Sequence, residues 1–330
     1  MNAFEVNLRT LFSAKAVAES IKNQTPVKSP VMDDIYGDRR NWPMPIIGRD
    51  EISQTIGNEP VIRRGTPAIN VGDSNLSVEH IEPQPIELST NLGAAELNNL
   101  KALKKQSLES WRDNKTADLR KRVRFTSEAM SAQSLNGKIQ YPMRTDGGYT
   151  YYEVDFGSVL SYAPDALWDN ADTGLEAVLM DLVNMSSNIN QTSGYGGTLK
   201  IYCGSKAFTV LAGKILAVSS ETGRFAAKVT ENTIQIAGFG LKLLNTSYKD
   251  HKADTTKKSI AETDVVMIGS DAPFRFYYLS LDDLDADLQG MPFYVKPIKQ
   301  DDPSGYKLIG KSKPLPVPVP KAICKATVTS

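Results

Sequence analysis

The feature that most constrains this chain is the stretch from Ala94 to Leu135, which contains no glycine and no proline. It is rich in Ala, Leu, Lys, Arg, Gln and Glu, all good helix formers. Leu97, Leu100, Leu108, Trp111, Leu119, Val123, Thr126 and Met130 fall at spacings of three, four and eight, one stripe on a helix of period 3.6. Thr90-Asn91 precedes the stretch as a cap, and Asn136-Gly137 follows it as a stop. As one helix it would be ~60 Å long at 1.5 Å per residue, far above the usual three turns. Between Arg112 and Asp118 no large apolar side chain occurs apart from the stripe's flanks. A kink there, or a turn exposed on all sides, is expected. A helix so long with so thin a stripe is expected to lie across the back of a flat molecule rather than inside a small core. A coiled coil would require an a/d repeat kept over several heptads, and the stretch does not keep one.

Charge names no bulk partner, because Lys+Arg and Asp+Glu both number 38. Locally, Lys101 to Arg124 carries nine basic residues against three acidic ones. A solvated helix face or a phosphate-binding patch would each account for it. The first residues, MNAFEVNLRTLF, lack the basic start and apolar run of a secretory signal. No window has the ~18 uninterrupted apolar residues of a membrane span, so no membrane partner is expected. Cys203 and Cys324 are far apart and are expected to be free thiols.

Around the long helix the pattern changes repeatedly. Residues 4–22 place Phe4, Leu8, Leu11 and Phe12 on one side of a short helix. Prolines 26, 30, 43 and 45 then favour extended backbone, so residues 1–47 read as an arm running over a surface. Residues 48–88 alternate β-prone runs with turn residues, as a long two-stranded excursion would. Such a hairpin is marginal alone and needs a partner surface. Lys138 to Ser158 predicts two strands around Asp146-Gly147-Gly148. Residues 172–192 predict a helix, TLKIYCG a buried strand and SKAFTVLAGKILAV a second helix, with further strands to about residue 281: a mixed α+β domain. Prolines 314, 316, 318 and 320 predict an edge strand or a polyproline segment lying on a surface.

The residues offer little chemistry. His80 and His251 are the two histidines, each expected in a loop or hairpin, and neither neighbours a nucleophile elbow. No HExxH, CxxC or paired Cys/His spacing supports zinc. GYGGTLK (194–200) precedes a strand, whereas a phosphate loop follows one and carries Gly-Lys-Ser/Thr. DDLDADLQG (282–290) starts like a calcium loop, yet Leu288 stands where glycine is needed and Tyr294 where glutamate is needed. It reads as an exposed, solvated acidic segment. No catalytic, cofactor-binding or metal residue is assigned, and no cofactor is expected. What rises above background is a set of parts that bury themselves only against other copies, the logic of a self-assembling shell.

Short motifs in a fixed order carry a resemblance. They are SAKAVAESIKN followed by SPVMDDIYGDRR, then EPVIRRGTPAI, PQPIELS before the long helix, LNGKIQYP after it, and DPSGYKLIGKSKPLPVPVPKAICKATV. With these the chain resembles the major capsid proteins of tailed bacteriophages, of Hong Kong 97-type fold, and within them the E-type capsid family of the phage lambda head protein. The resemblance implies an α+β fold with an N-terminal arm (1–47), an extended loop (48–88), a peripheral domain with a spine helix (89–159), an axial domain (160–290) and a return to the peripheral domain (291–330). It implies a structural head protein in the virion capsid, assembled in the host cytoplasm as pentamers and hexamers around double-stranded DNA held by non-specific contact. Scaffold, portal and decoration proteins are the partners it implies. Trp42, Arg63 and Arg64 become inter-subunit interface candidates. An encapsulin-like compartment shell protein shares the fold and is the near rival; an α+β hydrolase with unrecognised carboxylates is the distant one.

Overall fold

The computed structural model describes residues 27–49, 80–100, 105–219 and 227–330, together with Thr10, Lys15, Ala16, Glu19 and Ser20. The chain divides into two compact units, each stitched from three segments. The first comprises Met1–Ile46, Glu82–Met130 and Arg275–Pro316; the second Ile47–Ile81, Ser131–Phe274 and Val317–Ser330.

In the first unit, strand Ile86–Gly93 pairs antiparallel with Gly305–Ser312, which pairs in turn with Tyr294–Gln300. Alternate residues of these strands face one side, and Leu92, Val295, Tyr306 and Leu308 meet Leu119 and Val123 of a long helix, with Phe293 closing the cluster. A second sheet sets Asp38–Asn41 parallel to Arg275–Tyr278, with Pro314–Val317 on the other side. This last strand is an edge by pairing, but all four of its residues are buried. Of the two readings of these prolines the edge strand is the one observed, and the polyproline segment lying on a surface is corrected: proline gives up no needed donor at a sheet edge, and its ring is as buriable as any apolar side chain.

The predicted helical stretch is observed as Ala94–Leu100 and Lys105–Ser134, with residues 101–104 outside the described set. The helix passes unbroken through Arg112–Asp118, where Thr116 is fully buried and Arg112 nearly so. That turn is thus not exposed on all sides. Every residue from Ser127 to Leu135 is buried. The polar ones among them are accommodated by hydrogen bonds: Ser127 Oγ donates to Val123 O (3.0 Å) and Ser134 Oγ to Ser131 O (2.7 Å). The Gln133 amide serves the backbone of Gln140 from both its ends and donates to the Tyr248 hydroxyl. The helix ends where the Asn-Gly pair predicts. Gly137 has φ +78°, and a Cβ there would lie 2.1 Å from Gly157 O.

In the second unit seven strands form one mixed sheet. Its spatial order is Leu160–Tyr162, Ile323–Thr327, Asp264–Gly269, Leu199–Cys203, Phe239–Leu243, Thr233–Ile236, Ala227–Val229. The central Asp264–Gly269 strand is buried at all six positions. Helices Leu175–Ser193 and Ser205–Ser219 contribute to the core Val178, Leu182, Met185 and Ile189 from the first and Ala207, Phe208, Leu211 and Ile215 from the second. The first set repeats every three or four residues, and in the second Ala207 and Phe208 lie four and three residues before Leu211, so each set shares one helix face. Two hairpins stand apart from this sheet, Lys138–Thr145 with Gly148–Asp155, and Ser247–Asp250 with Thr255–Lys258. Ile47–Gly48 pairs antiparallel with His80–Ile81. Cys203 and Cys324 are free and buried, and burial pushes the Cys324 thiol up to about 11.

Candidate assembly interface

The segment before strand Asp38–Asn41 is fastened to the long helix by an arrangement that follows from helix-end chemistry. Pro30 opens the one-turn helix Pro30–Asp34, where its missing N–H costs nothing. The next two N–H groups are orphan donors. They donate to the two oxygens of Glu128, Val31 N at 2.8 Å and Met32 N at 2.9 Å. Burial raises the Glu128 carboxyl above its usual range, although both N–H groups favour its ionised form. Arg124 donates to Ser29 Oγ at 2.6 Å and pairs with Asp33. Arg39 reaches Asp33 at 2.6 Å, Met32 O at 3.0 Å and Tyr36 O at 3.1 Å. Burial alone would raise the Asp33 carboxyl; Arg39, the Ser29 N–H and Arg124 outweigh it and hold it low. Under this polar clasp Val31, Met32 and Tyr36 are fully buried.

Trp42 continues the same segment. Its N–H donates to Tyr278 O (2.8 Å), its indole N–H to Ile46 O (3.0 Å), and its ring stands edge-on to Tyr277 at 5.8 Å. Arg63 and Arg64 lie outside the described residues, as do residues 50–79 of the predicted loop.

Four basic residues of the run on the long helix are held in ion pairs: Lys115 with Glu96, Arg112 with Asp113, Arg122 with Asp118 and Arg124 with Asp33. The acidic segment near residue 283 is also more structured than expected. Asp283 is buried and holds Lys296 at 2.6 Å and Lys311 at 3.0 Å, so its reading as a solvated carboxylate is corrected. Burial would raise its carboxyl, but the two lysines keep it low. A long-range pair this tight between residues thirteen and more apart has no signal in a sequence read for local pattern.

A second buried carboxylate, Asp250, joins the two free-standing hairpins. It accepts from Lys257 (2.6 Å), from the Tyr151 hydroxyl (3.1 Å) and from the N–H groups of Lys252 and Ala253. Burial opposes ionisation, yet these donors win and bring the group from 3.8 to about 2. A depressed carboxylate stabilises the fold above its unfolded pKa and loses that effect as pH falls. Its contribution is therefore expected to fade between pH 3.8 and about 2. Asp250→Asn should lower stability at neutral pH by on the order of 1–3 kcal/mol and flatten the melting temperature against pH over that window. An unchanged acid slope in the variant would show that Asp250 does not titrate there.

Among the described residues no group of three or more His, Cys, Asp or Glu side chains could hold a metal ion. No helix among them is long and apolar enough to cross a membrane. The glycine turn is occupied by the chain's own carboxylate. Gly194 takes the left-handed position that ends helix Leu175–Ser193, and the N–H groups of Gly196 and Gly197 donate to Asp271 at 3.0–3.1 Å. His80 lies on a two-residue strand and His251 stacks on Tyr149 at 6.2 Å.

Comparison with protein families decides what this arrangement belongs to. The family model for phage major capsid protein E matches residues 13–328. The chain belongs to the phage major capsid protein E family. It is thus a structural capsid protein of a tailed bacteriophage, with a Hong Kong 97-type α+β fold. Solved structures agree on the fold of this capsid protein. A protein assigned as the capsid protein of an E. coli CFT073 prophage is 14% identical, with 97% of this chain and 99% of that one covered and a TM-score of 0.66. A phage-related protein from Bordetella bronchiseptica RB50 is 10% identical over 95% and 96% of the two chains, with a TM-score of 0.52. A comparison with curated protein sequences finds no match.

Proposed function

We propose that this capsid protein is the repeating subunit of an icosahedral shell around double-stranded DNA, built from pentamers and hexamers in the host cytoplasm. The family match over nearly the whole chain carries this reading. Residues 1–47 act as the arm, 48–88 as the extended loop, 89–159 with 291–330 as the peripheral domain, and 160–290 as the axial domain. Trp42, Arg63 and Arg64 contact neighbouring subunits. Scaffold, portal and decoration proteins are the partners. The balanced bulk charge, 38 against 38, suits DNA held by weak non-specific contact, because strong phosphate clamping would slow packaging. On this reading the protein is a structural subunit and not an enzyme, which its membership of a capsid protein family supports.

The test is electron microscopy of the purified chain after size exclusion. Closed shells, or rings of five and six, are expected; a population of discrete monomers and dimers from the chain expressed alone and with its scaffold overturns the reading. The pairing of Ile47–Gly48 with His80–Ile81 brings the two ends of the intervening segment together, so residues 50–78 can be replaced by a short Gly-Ser turn. That variant is expected to keep the wild-type melting temperature and to form no shells. Normal shells from it would remove the loop from the mechanism.

A further inference from the structure

The most exposed large hydrophobic side chain among the described residues is Leu284, at 82%, and Leu288 four residues on is 49% exposed. Both sit on a short segment with unusual backbone. A single 3-10 turn, Leu284–Ala286, is followed by Asp287 and Leu288, both at φ 52°. A left-handed position is unfavourable for a non-glycine residue, so this conformation persists only because its surroundings impose it. Asp283 beneath it is held by Lys296 and Lys311 and accepts the N–H of Asp285. Ala286 packs with Leu281 and Tyr294. Gly290 closes the segment so tightly that a Cβ would lie 2.0 Å from Tyr278 O. The two leucines are therefore presented on a fixed support. Charge around them is layered: Asp282 and Asp285 pair with Lys313 (3.5 Å) and Lys296 (2.9 Å) beneath them, but those lysines are 2% and 20% exposed and the two aspartates 74% and 72%, so the outer layer is the acidic one. The outward surface is an apolar knob with an acidic rim.

A surface of opposite character is carried by helix Lys105–Ser134. Asp118, Lys121, Arg122 and Phe125 share its outward face. Phe125 is 52% exposed and has the Lys121 ammonium 5.6 Å from its ring centre. Arg122 is 66% exposed and shares one edge with Asp118, leaving two cations to one anion beside an open aromatic ring.

We propose that Leu284 and Leu288 of one copy pack on Phe125 of a second copy of this chain, with Asp282 and Asp285 facing Lys121 and Arg122. The occupant is a second copy because both halves of the match, apolar centre and opposite rim charge, are on the one chain. The contact is heterologous: each copy gives its knob to one neighbour and its helix face to another, the kind of contact that builds rings when its rotation closes. It rests on the shell reading above, and the following test separates the two.

Leu284→Cys and Phe125→Cys proteins are purified separately and oxidised with copper–phenanthroline, alone and mixed. Both native cysteines are buried, so the introduced thiols report. The mixture is expected to give a disulfide dimer that neither variant gives alone, and the doubly substituted chain a ladder of covalent oligomers. No dimer from the mixture, or equal dimer from either variant alone, overturns the contact. Lys121→Glu and Asp285→Lys should each weaken association roughly tenfold, and their combination should restore most of it. Additive weakening in the combination also overturns the contact. Shell formation by the wild-type chain is scored separately: shells without the cross-link dismiss this contact alone, and the cross-link without shells dismisses the shell reading alone.

Discussion

Trp168→Ala is expected to unfold the seven-stranded unit at ordinary temperatures or come close to it. The indole is fully buried in the core with Leu175, Val178 and Val328. Its ring N–H donates to Asp181 at 2.8 Å, and its backbone N–H to Val328 O at 2.6 Å. Truncating a buried tryptophan costs about 3–5 kcal/mol through lost contacts and the cavity left behind. Asp181 would keep the Tyr162 hydroxyl (2.8 Å) as a donor but lose the indole, a further ~1–3 kcal/mol for a buried acceptor left short. Against a total domain stability of about 5–15 kcal/mol, the sum is decisive. Trp168→Phe separates the two parts, since it fills most of the volume and offers no donor; its loss should be well under half of the alanine variant's. Denaturant melts of both variants check this. A Trp168→Ala midpoint near the wild-type value would mean that the indole does not support the sheet.

Glu128→Ala should release the arm rather than unfold the chain. The carboxylate is the acceptor for both Val31 and Met32 N–H. Its removal leaves two buried donors unmatched at ~1–3 kcal/mol each, and Arg124 and Arg39 remain as the clasp's other holds. Faster amide exchange at Val31 and Met32, and trypsin cleavage at Arg39 and Arg40, are the expected signatures. Glu128→Gln keeps one acceptor oxygen and should fall about midway. The sign of the pH effect is opposite to that at Asp250. Burial raises the Glu128 carboxyl above 4.5, so the folded state keeps a proton that the unfolded chain has lost. Stability contributed in this way is full below pH 4.5 and declines as pH rises through the raised value. The Gln variant should lack that decline. Unchanged exchange at residues 31 and 32 in the Ala variant would refute the clasp.

How much of this could be read from the sequence depended on the distance over which each signal acts. The helix over Lys105–Ser134, its stop at Asn136-Gly137 and the hairpin around Asp146-Gly147-Gly148 are local matters of propensity and turn chemistry, and they were legible. Burial of the polar positions Glu128, Ser131, Gln133 and Ser134 was not, because their partners come from residue 31 or 248 as often as from the next turn. The Pro314–Val317 strand was legible as an edge, where proline is tolerated, but its burial was not. Asp283 looked solvated because Lys296 and Lys311 reach it only through sheet register. For the interface candidates, Trp42 has a placed ring and backbone, and Arg63 and Arg64 fall outside the described residues.

The division of each unit into three chain segments has a consequence for biosynthesis. The first unit needs Arg275–Pro316 and the second needs Val317–Ser330, whose strand Ile323–Thr327 lies inside the sheet between Leu160–Tyr162 and Asp264–Gly269. Neither can close while the ribosome is still working through residue 274. Such long-range closure is slow compared with local helix formation, and synthesis proceeds at about 5–20 residues per second. A nascent chain therefore emerges with no finished surface to offer a neighbour. Each unit is therefore expected to gain protease resistance only once its last segment, Arg275–Pro316 or Val317–Ser330, has been made.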